Sequence, residues 1–370
     1  MTKRSLLYIL IMLLLIWALN TACTSNDKEF IDYFGENQIK DIQAWIDDFQ
    51  VKPILILGEH HGVADNYDLY LEILRMLPEE HIQLLLEMPP SFAYLCREYM
   101  KTGDEALLQK AIMHMEGTFG FVQENYQFWN SVKELSDNGK HIDVIGVDQE
   151  FQLKNAALAL LTIDEERFTP VLQRIEKAGK KGTEELLQEL ENIVNEYEPL
   201  PVETDSDQVV KDIMTSLRQL LDNPMGDKSR DEAIYQTFVR KVDPNIRSIG
   251  IFGGDHITKS GESGSAVSKL FNEELFSDKV VVAEFFYVNS TYMEPKTGQA
   301  SSMQGLSKNS IIVQHALREQ PSVVVYRLPP DPLFETPNLK GLSLPDMYDY
   351  AVVIKNAKAS EYFELSTEEN

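Results

Sequence analysis

Short apolar runs that stop at polar residues alternate along this chain with longer amphipathic segments. The first run, from Ile54 to Leu57, ends at Gly58 and is followed by Glu59 and two histidines. The later runs cover residues 82–88, 142–147, 246–252, 279–287, 322–328 and 350–354. Continuous apolar strands that alternate with helices are typical of a largely parallel sheet covered on both faces. The sequence therefore predicts an α/β fold, mostly parallel and flanked by helices.

Helical patterns fill the intervals between these runs. Apolar residues repeat at helical spacing over residues 37–49 and 65–77. The segment from Phe151 to Val242 is charged, repeatedly helical and without a convincing strand. Its central part, from about residue 164 to 240, predicts a large helical insertion. Residues 37–370 are long enough to form a single α/β domain around it.

The amino terminus has the features of an export signal. An apolar run from Leu6 to Leu19 follows two basic residues and is shorter than a spanning helix requires. The small residues before Cys23 resemble the lipobox of bacterial lipoproteins, although Asn20 stands where leucine is usual. We therefore expect a signal peptide over 1–22, lipid on Cys23, and a tether over 23–36. The protein would be exported and membrane-anchored in a bacterial cell envelope; an ordinary cleaved signal or an anchor helix are the alternatives.

Composition limits the partners of the chain. Its formal net charge is -25, so a polyanion would meet a repulsive field. We expect no nucleic-acid partner. The chain has two cysteines, and if Cys23 carries lipid, Cys96 has no intramolecular partner. A disulfide framework is therefore not expected, although the compartment would be oxidising.

Residues suited to acid–base chemistry follow three of the apolar runs. Glu59 and His61 follow the first run, Glu87 follows the second, and His256 follows the run over 249–254. The carboxyl ends of parallel strands meet at one edge of a sheet, so these side chains are predicted to lie together. Histidine exchanges a proton near neutral pH, or binds a metal ion as the neutral ring. These four residues are the predicted catalytic site, and the candidate ligands if a metal is bound.

Two further acidic residues are predicted to support this site. Asp148 follows the run over 142–147, where it either contributes to the cleft or caps the next helix. Asp255 precedes His256, and a carboxylate beside a histidine can fix its tautomer and stabilise its charged form.

Three other histidines are not assigned to the site. His60 leaves the turn in a different direction from its neighbour His61, so it is interpreted as structural. His81 and His114 are predicted in a loop and on a helix, and are interpreted as structural or surface residues.

The order of the motifs resembles the erythromycin-esterase-like proteins, which belong to a wider group with the haem-uptake protein ChaN and the Tiki proteases. The matching segments are residues 57–62, 85–87, 101–103 and 144–149, and residues 349–354 resemble the final strand of that fold. The likeness covers most of the chain after the signal and is patchy in the insertion. It implies a core of parallel strands with a cleft at their carboxyl ends, partly covered by helices.

The resemblance also implies roles for the site residues. Glu59 and His61 match the first acid and histidine of the group, Glu87 the acid after the second strand, and His256 the second histidine. In the esterase branch the histidine activates water without a metal, whereas in the Tiki branch the corresponding residues hold a divalent ion. One residue separates Glu59 from His61, where the esterases usually have two, and this spacing is closer to ChaN and Tiki.

Three hypotheses follow. The first is hydrolysis of an ester or related bond, with His61 as general base, Glu59 orienting it, and His256 and Glu87 positioning water or stabilising the oxyanion. The second is a divalent Mn or Zn site on the same residues that polarises a peptide or ester bond. The third is a surface lipoprotein that binds haem or another ligand in an apolar pocket. The expected partners are a small-molecule or peptide substrate, and the membrane through the lipid anchor.

Overall fold

The computed structural model describes residues 31–222, 227–261, 263–303, 306, 310–329 and 343–364. The predicted signal peptide and the lipidation site, Cys23, lie outside these residues. Residues 31–37 form helix α1, and Phe34 within it is buried in the core. The folded body therefore includes residue 31, and the last part of the predicted tether over 23–36 is helical. None of the described helices is long and apolar enough to cross a membrane.

A large, mostly parallel sheet forms the centre of the fold. The described strands are β1 (Gln38–Ile39), β2 (Ile54–Glu59), β3 (His81–Leu86), β4 (His141–Gly146), β5 (Arg247–Gly253), β6 (Val280–Val288), β7 (Thr291–Met293), β8 (Ala300–Ser302), β9 (Val323–Arg327) and β10 (Tyr350–Lys355). Eight of them pair in the order β1-β9-β10-β6-β2-β5-β3-β4, and β7 pairs with β8 separately. The six strands from β10 to β4 are parallel, whereas β9 and β1 add an antiparallel edge. The predicted fold class is confirmed.

Helices occupy the connections between the strands. They are α2 (Ile42–Phe49), α3 (Ala64–Met76), α4 (Pro90–Thr102), α5 (Glu105–Met113), α6 (Gln123–Asp137), α7 (Leu153–Ile163), α8 (Glu165–Gly179), α9 (Thr183–Tyr197), α10 (Asp205–Asp222), α11 (Asp227–Lys241), α12 (Ala266–Leu270), α13 (Ile311–Ala316) and α14 (Leu344–Met347). Helices α8 to α11 fill the segment predicted as a helical insertion.

The sheet is buried on both faces. Along β2, Leu55 and Leu57 join an apolar cluster that helices α2 to α10 complete, whereas Ile54 and Ile56 join a second cluster with α11 to α14. Successive residues of a strand point to opposite faces, so a strand covered on both sides has to be apolar throughout. This explains the continuous apolar runs in the sequence.

The predicted helix over residues 37–49 differs from the structure at its start. Gln38 and Ile39 form β1, and α2 begins only at Ile42. The carboxylate of Asp41 accepts a hydrogen bond from the backbone N–H of Ala44 at 2.8 Å and caps this helix. The predicted helix is therefore correct only from Ile42 onward, after the capping residue Asp41.

Candidate active site

Glu59 and His61 form a hydrogen-bonded pair at the carboxyl end of β2. His61 Nδ1 lies 2.7 Å from Glu59 Oε1. The other carboxylate oxygen accepts hydrogen bonds from the hydroxyl of Tyr70, at 2.5 Å, and from the side-chain amide of Asn66. Both partners come from α3, so the helix that follows the strand fixes the carboxylate, and the carboxylate fixes the histidine ring.

The positions before and after this pair are glycine for different structural reasons. Gly58 lies within β2, where a Cβ atom would collide with the side chains of Ile257 and Glu284. Gly62 has a φ of +80°, a conformation that favours glycine, and it turns the chain toward α3. Of the two, only Gly62 therefore serves to turn the chain.

Glu87, directly after β3, lies at the centre of a second network. Its side chain is buried, and Oε2 accepts the backbone N–H of Gly253 at 2.5 Å. Its Oε1 accepts from Arg230 Nη2 at 2.5 Å and lies 3.3 Å from His256 Nε2. Across the cleft, His61 Nε2 is 4.0 Å from Glu87 Oε2, so Glu87 links the two histidines.

Arg230 enters this network from helix α11. Its guanidinium donates to both carboxylate oxygens of Asp148, and its Nη1 lies 3.1 Å from His256 Nε2. Asp148, after β4, is fully buried and also accepts the N–H of Gln149 at 2.8 Å. The sequence left open whether Asp148 contributes to the cleft or only caps the next helix. Its bonds to Arg230 connect it to the residues of the cleft.

His256 is oriented by a carboxylate that the sequence did not indicate. Its Nδ1 lies 2.8 Å from Asp231 Oδ1, and the same oxygen accepts the N–H of Ala266. Asp255 is instead exposed at the neighbouring position in the chain, so it does not fill the role predicted for it. The reason is geometric, because the short 3₁₀ helix Gly254–His256 turns the histidine ring toward α11.

Both histidines are held in their charged form. Burial lowers the pKa of His61, but the hydrogen bond and charge of Glu59, with the charge of Glu87, outweigh burial and raise the pKa to about 9. Burial also opposes the charge on His256, yet hydrogen bonds to Asp231 and Glu87 raise its pKa to about 10. The raised pKa values therefore favour the charged form of both rings at neutral pH, beside the Arg230 guanidinium.

Glu87 remains ionised despite its burial. Burial raises the pKa of a carboxyl group, but the hydrogen bond from His256 and the charges of His61, His256 and Arg230 hold the pKa of Glu87 well below its usual range. Glu87 is thus a buried acceptor between three cations.

Two cavities meet at these residues. One has a volume of about 520 Å³, and its wall includes the aromatic side chains of Tyr67, Phe92, Phe119, Phe128, Trp129 and Phe151. The other, about 620 Å³, is more polar and is bounded by Gly254, Asp255 and Glu284. Glu59, His61, Glu87 and Arg230 line both cavities. A molecule that spans the two would therefore pass the network.

Glu284, on β6, is an unusual member of the polar cavity. Its Oε2 is buried and has no hydrogen-bond partner among the described residues. Burial, together with the charge of Asp255, raises the pKa of Glu284 to about 8. At neutral pH the side chain is therefore mostly the uncharged acid, which is less costly to bury than a carboxylate.

Five residues singled out in the sequence meet in this cleft: Glu59, His61, Glu87, Asp148 and His256. His60 is exposed, with its Nδ1 2.9 Å from the carbonyl of His61, and it borders the polar cavity, where the sequence had assigned it only a structural position. Arg230 and Asp231 also belong to the site, but they were not identified from the sequence. They lie in a highly charged helical segment, where no local pattern separates them from solvated neighbours.

Comparisons with known proteins address the fold. No protein-family model and no curated protein matches the sequence. A solved Bacillus cereus protein is 14% identical with a TM-score of 0.63, over 91% of this chain and 99% of that chain. A mutant of erythromycin esterase EreC in its open conformation is 16% identical with a TM-score of 0.62, over 88% of this chain and 96% of that chain.

A third solved structure, haem-bound ChaN of Campylobacter jejuni, is 14% identical over 72% of this chain and 93% of that chain. Its TM-score, 0.33, is well below those of the other two structures. The other two structures share so few identical residues with this chain that the matches indicate a common fold and nothing more. On that basis, this chain has the fold of erythromycin esterase, as its motifs predicted.

Proposed function

We propose that this protein is a hydrolase in which His61 activates water for attack on an ester or related bond. The observation that carries the proposal is the placement of the His61 ring. Glu59 holds Nδ1 at 2.7 Å, while Nε2 faces Glu87 at 4.0 Å, beyond hydrogen-bond distance, where both cavities meet. A water or substrate oxygen in contact with both atoms would sit between a base and a fixed carboxylate.

The proton movements follow from this geometry. Neutral His61 takes a proton from water at Nε2 while the water oxygen bonds to the carbonyl carbon of the substrate. Glu59 stabilises the imidazolium that forms and keeps the ring in position. When the tetrahedral intermediate collapses, the bond to the leaving alcohol breaks and His61 Nε2 returns the proton to its oxygen.

Arg230 and protonated His256 provide the positive charge for the oxyanion. Glu87 Oε1 lies 2.5 Å from Arg230 Nη2 and 3.3 Å from His256 Nε2. Asp148 binds Arg230, and Asp231 binds His256. Cations that are already fixed beside the reacting group need no reorganisation during the reaction, which is the main requirement for electrostatic catalysis. Glu87 is assigned to positioning these groups.

A divalent metal fits these residues poorly. Arg230 and His256 already occupy Glu87 Oε1, and both histidines carry protons that a metal ion would have to displace. In the described part of the chain, no three of Glu59, His61, Glu87 and His256 bring donor atoms within 4.8 Å of one another. We therefore derive no step through Mn or Zn in the cleft.

Haem also fits poorly as a resident group. The aromatic cavity offers His61, Tyr67 and Tyr70 as candidate axial ligands. His61 is protonated at neutral pH, and burial with the charge of Glu59 raises the pKa of both tyrosines well above its usual value. Iron binds neutral imidazole or phenolate, so a haem would have to displace a proton from whichever of the three it used.

Hydrolysis of a panel of p-nitrophenyl esters tests the proposal. We expect turnover by the wild type, unchanged after removal of divalent ions with a chelator. His61→Gln should lower kcat/KM by roughly 10²–10⁴-fold, because it removes the general base. His60→Gln is the matched control, since this neighbouring ring borders the polar cavity but its described side-chain hydrogen bond is to the carbonyl of His61 and not to Glu59 or Glu87; it should retain most of the activity.

Two results would contradict the proposal. Equal activity in His61→Gln and His60→Gln would remove His61 from the mechanism. Activity that disappears with the chelator and returns with Mn²⁺ or Zn²⁺ would support the metal-dependent peptidase, and a Soret band on mixing with haem would support the binding protein.

A further inference from the structure

Two histidines and an aspartate meet at the opposite end of the sheet from the cleft. His81 begins β3 and His141 begins β4, and the two are paired in the parallel ladder. Asp143 lies two residues further along β4 and therefore on the same face as His141. Because Glu87 follows the other end of β3, this cluster is about 20 Å from the candidate active site.

The donor atoms of the cluster face one another. His81 Nε2 is 2.8 Å from Asp143 Oδ2, and His141 Nε2 is 3.2 Å from Asp143 Oδ1. The two imidazole rings stack with their centroids 4.4 Å apart and their planes 19° apart. One ligand atom from each residue can be chosen so that all three lie within 4.8 Å, and no other group of His, Cys, Asp or Glu in the described ranges does so.

The strands place these groups in advance of any ligand. The ladder between β3 and β4 fixes both backbones, and the N–H of His141 donates to the carbonyl of Glu80 at 2.7 Å. The side chains of His81 and Asp143 are 40% and 42% exposed, and that of His141 is 68% exposed. Water can therefore complete a coordination sphere, and the ligands lose little solvation.

The carboxylate of Asp143 brings the two rings into one cluster of ligand atoms. It presents a different oxygen to each imidazole nitrogen, so it lies between the two rings. A metal ion binds both rings in the neutral form and adds the carboxylate as a third ligand. One divalent ion would thus make three attractive contacts in this cluster.

We propose that His81, His141 and Asp143 bind a divalent transition-metal ion, with Zn²⁺ as the best match. Zn²⁺ accepts imidazole nitrogen and carboxylate oxygen in tetrahedral sites, with water in a remaining position. Strand β4 is the last strand of the sheet, so the ion joins an edge strand to its neighbour. Its role is to stabilise this edge.

This site is independent of the proposed hydrolase, because none of its residues lines either cavity. The site also changes what a measurement of bound metal per protein molecule would mean. One equivalent of metal in the wild type would be expected from the edge site alone, and would not indicate a metal in the cleft.

Equilibrium dialysis of the full-length protein against Zn²⁺ tests the proposal. We expect one tightly bound equivalent in the wild type and in His61→Gln, and its loss in His141→Gln. The side chain of His141 is largely exposed, so this variant should fold, which circular dichroism checks. His60→Gln removes a different exposed histidine and should still bind Zn²⁺.

A second readout is the melting temperature. Zn²⁺ should raise the Tm of the wild type and of His61→Gln by the same amount and leave that of His141→Gln unchanged. No bound equivalent in the wild type would overturn the proposal, as would wild-type binding by both His81→Gln and His141→Gln. Loss of Zn²⁺ in His61→Gln alone would place the ion in the cleft, and would contradict the metal-free mechanism as well.

Discussion

Arg230 donates hydrogen bonds from Nε and Nη2 to the carboxylate of Asp148, which lies 82 residues earlier in the chain. Asp148 is fully buried after β4, whereas Arg230 is on α11. The pair therefore ties the helical insertion to the carboxyl end of the sheet. Because Nη2 also reaches Glu87, the same side chain fixes the position of the insertion against the cleft.

Replacement of Arg230 by methionine should be strongly destabilising. The substitution leaves the carboxylates of Asp148 and Glu87 buried without their guanidinium, so the free energy of unfolding should fall by roughly 3–5 kcal/mol. Urea unfolding at pH 7 measures this change. Arg174→Met is the control, since Arg174 pairs with glutamates in a more exposed position and should cost less than about 1 kcal/mol. Similar losses in both variants would show that the network adds nothing.

The sheet could be predicted because burial on both faces leaves a strong signal. Most positions of each central strand are apolar, and the polar residues of the site lie at its carboxyl end or just after it. This is why Glu59, Glu87, Asp148 and His256 could be located from sequence. Strand β1 carries no such signal, because two residues on an edge need no apolar run.

The partners on α11 could not be predicted, for an equally physical reason. Helix α11 is rich in charged residues, and its sequence does not indicate which of them face the sheet. Arg230 and Asp231 are adjacent, yet each binds a different residue of the site, Asp148 and His256. Only the tertiary packing of the insertion against β4 and β5 distinguishes them.

The pH dependence of hydrolysis should reveal the charge on His61. The general base must be neutral, so kcat/KM should rise with pH to a midpoint near 9, the raised pKa of His61. Glu59→Gln removes a charge that favours imidazolium, so its midpoint should move to lower pH, while its plateau falls because the ring is less well oriented. A midpoint that stays at the wild-type value in Glu59→Gln would exclude His61 as the titrating base.

The aromatic cavity should select the apolar part of the substrate. Phe119 lies beside His61, with ring centroids 5.4 Å apart, and its side chain is only half-buried. Phe119→Ala should therefore raise KM for esters with bulky apolar groups about tenfold, equivalent to 1–2 kcal/mol of lost contact, with little effect on an acetate ester. Steady-state kinetics on the two substrates measures the difference. Equal effects on both esters would assign Phe119 to the orientation of His61 instead.

Glu150 should make the protein less stable as the pH rises from acid to neutral. It is fully buried, and its carboxylate accepts from the N–H and hydroxyl of Ser91 at 2.9 Å and 2.7 Å. Burial outweighs these bonds and raises its pKa from 4.5 to about 8. The native state then holds a proton that the unfolded state releases, so stability is greatest below pH 4.5 and falls until about pH 8.

Glu150→Gln removes this titration and should reduce the decrease in the free energy of unfolding between pH 4.5 and 8 by a few kcal/mol, measured by urea at several pH values. Glu284, whose pKa is also raised from 4.5 to about 8, should account for the decrease that remains over this range. A second decrease should remain. His61 and His256 have pKa values raised from 6.5 to about 9 and 10, so their stabilisation is complete below pH 6.5 and is lost as the pH rises through those values. If the free energy of unfolding of Glu150→Gln varies between pH 4.5 and 8 as it does in the wild type, Glu150 is ionised in the native state. If His256→Gln lacks the decrease in stability at alkaline pH, that decrease belongs to the cleft.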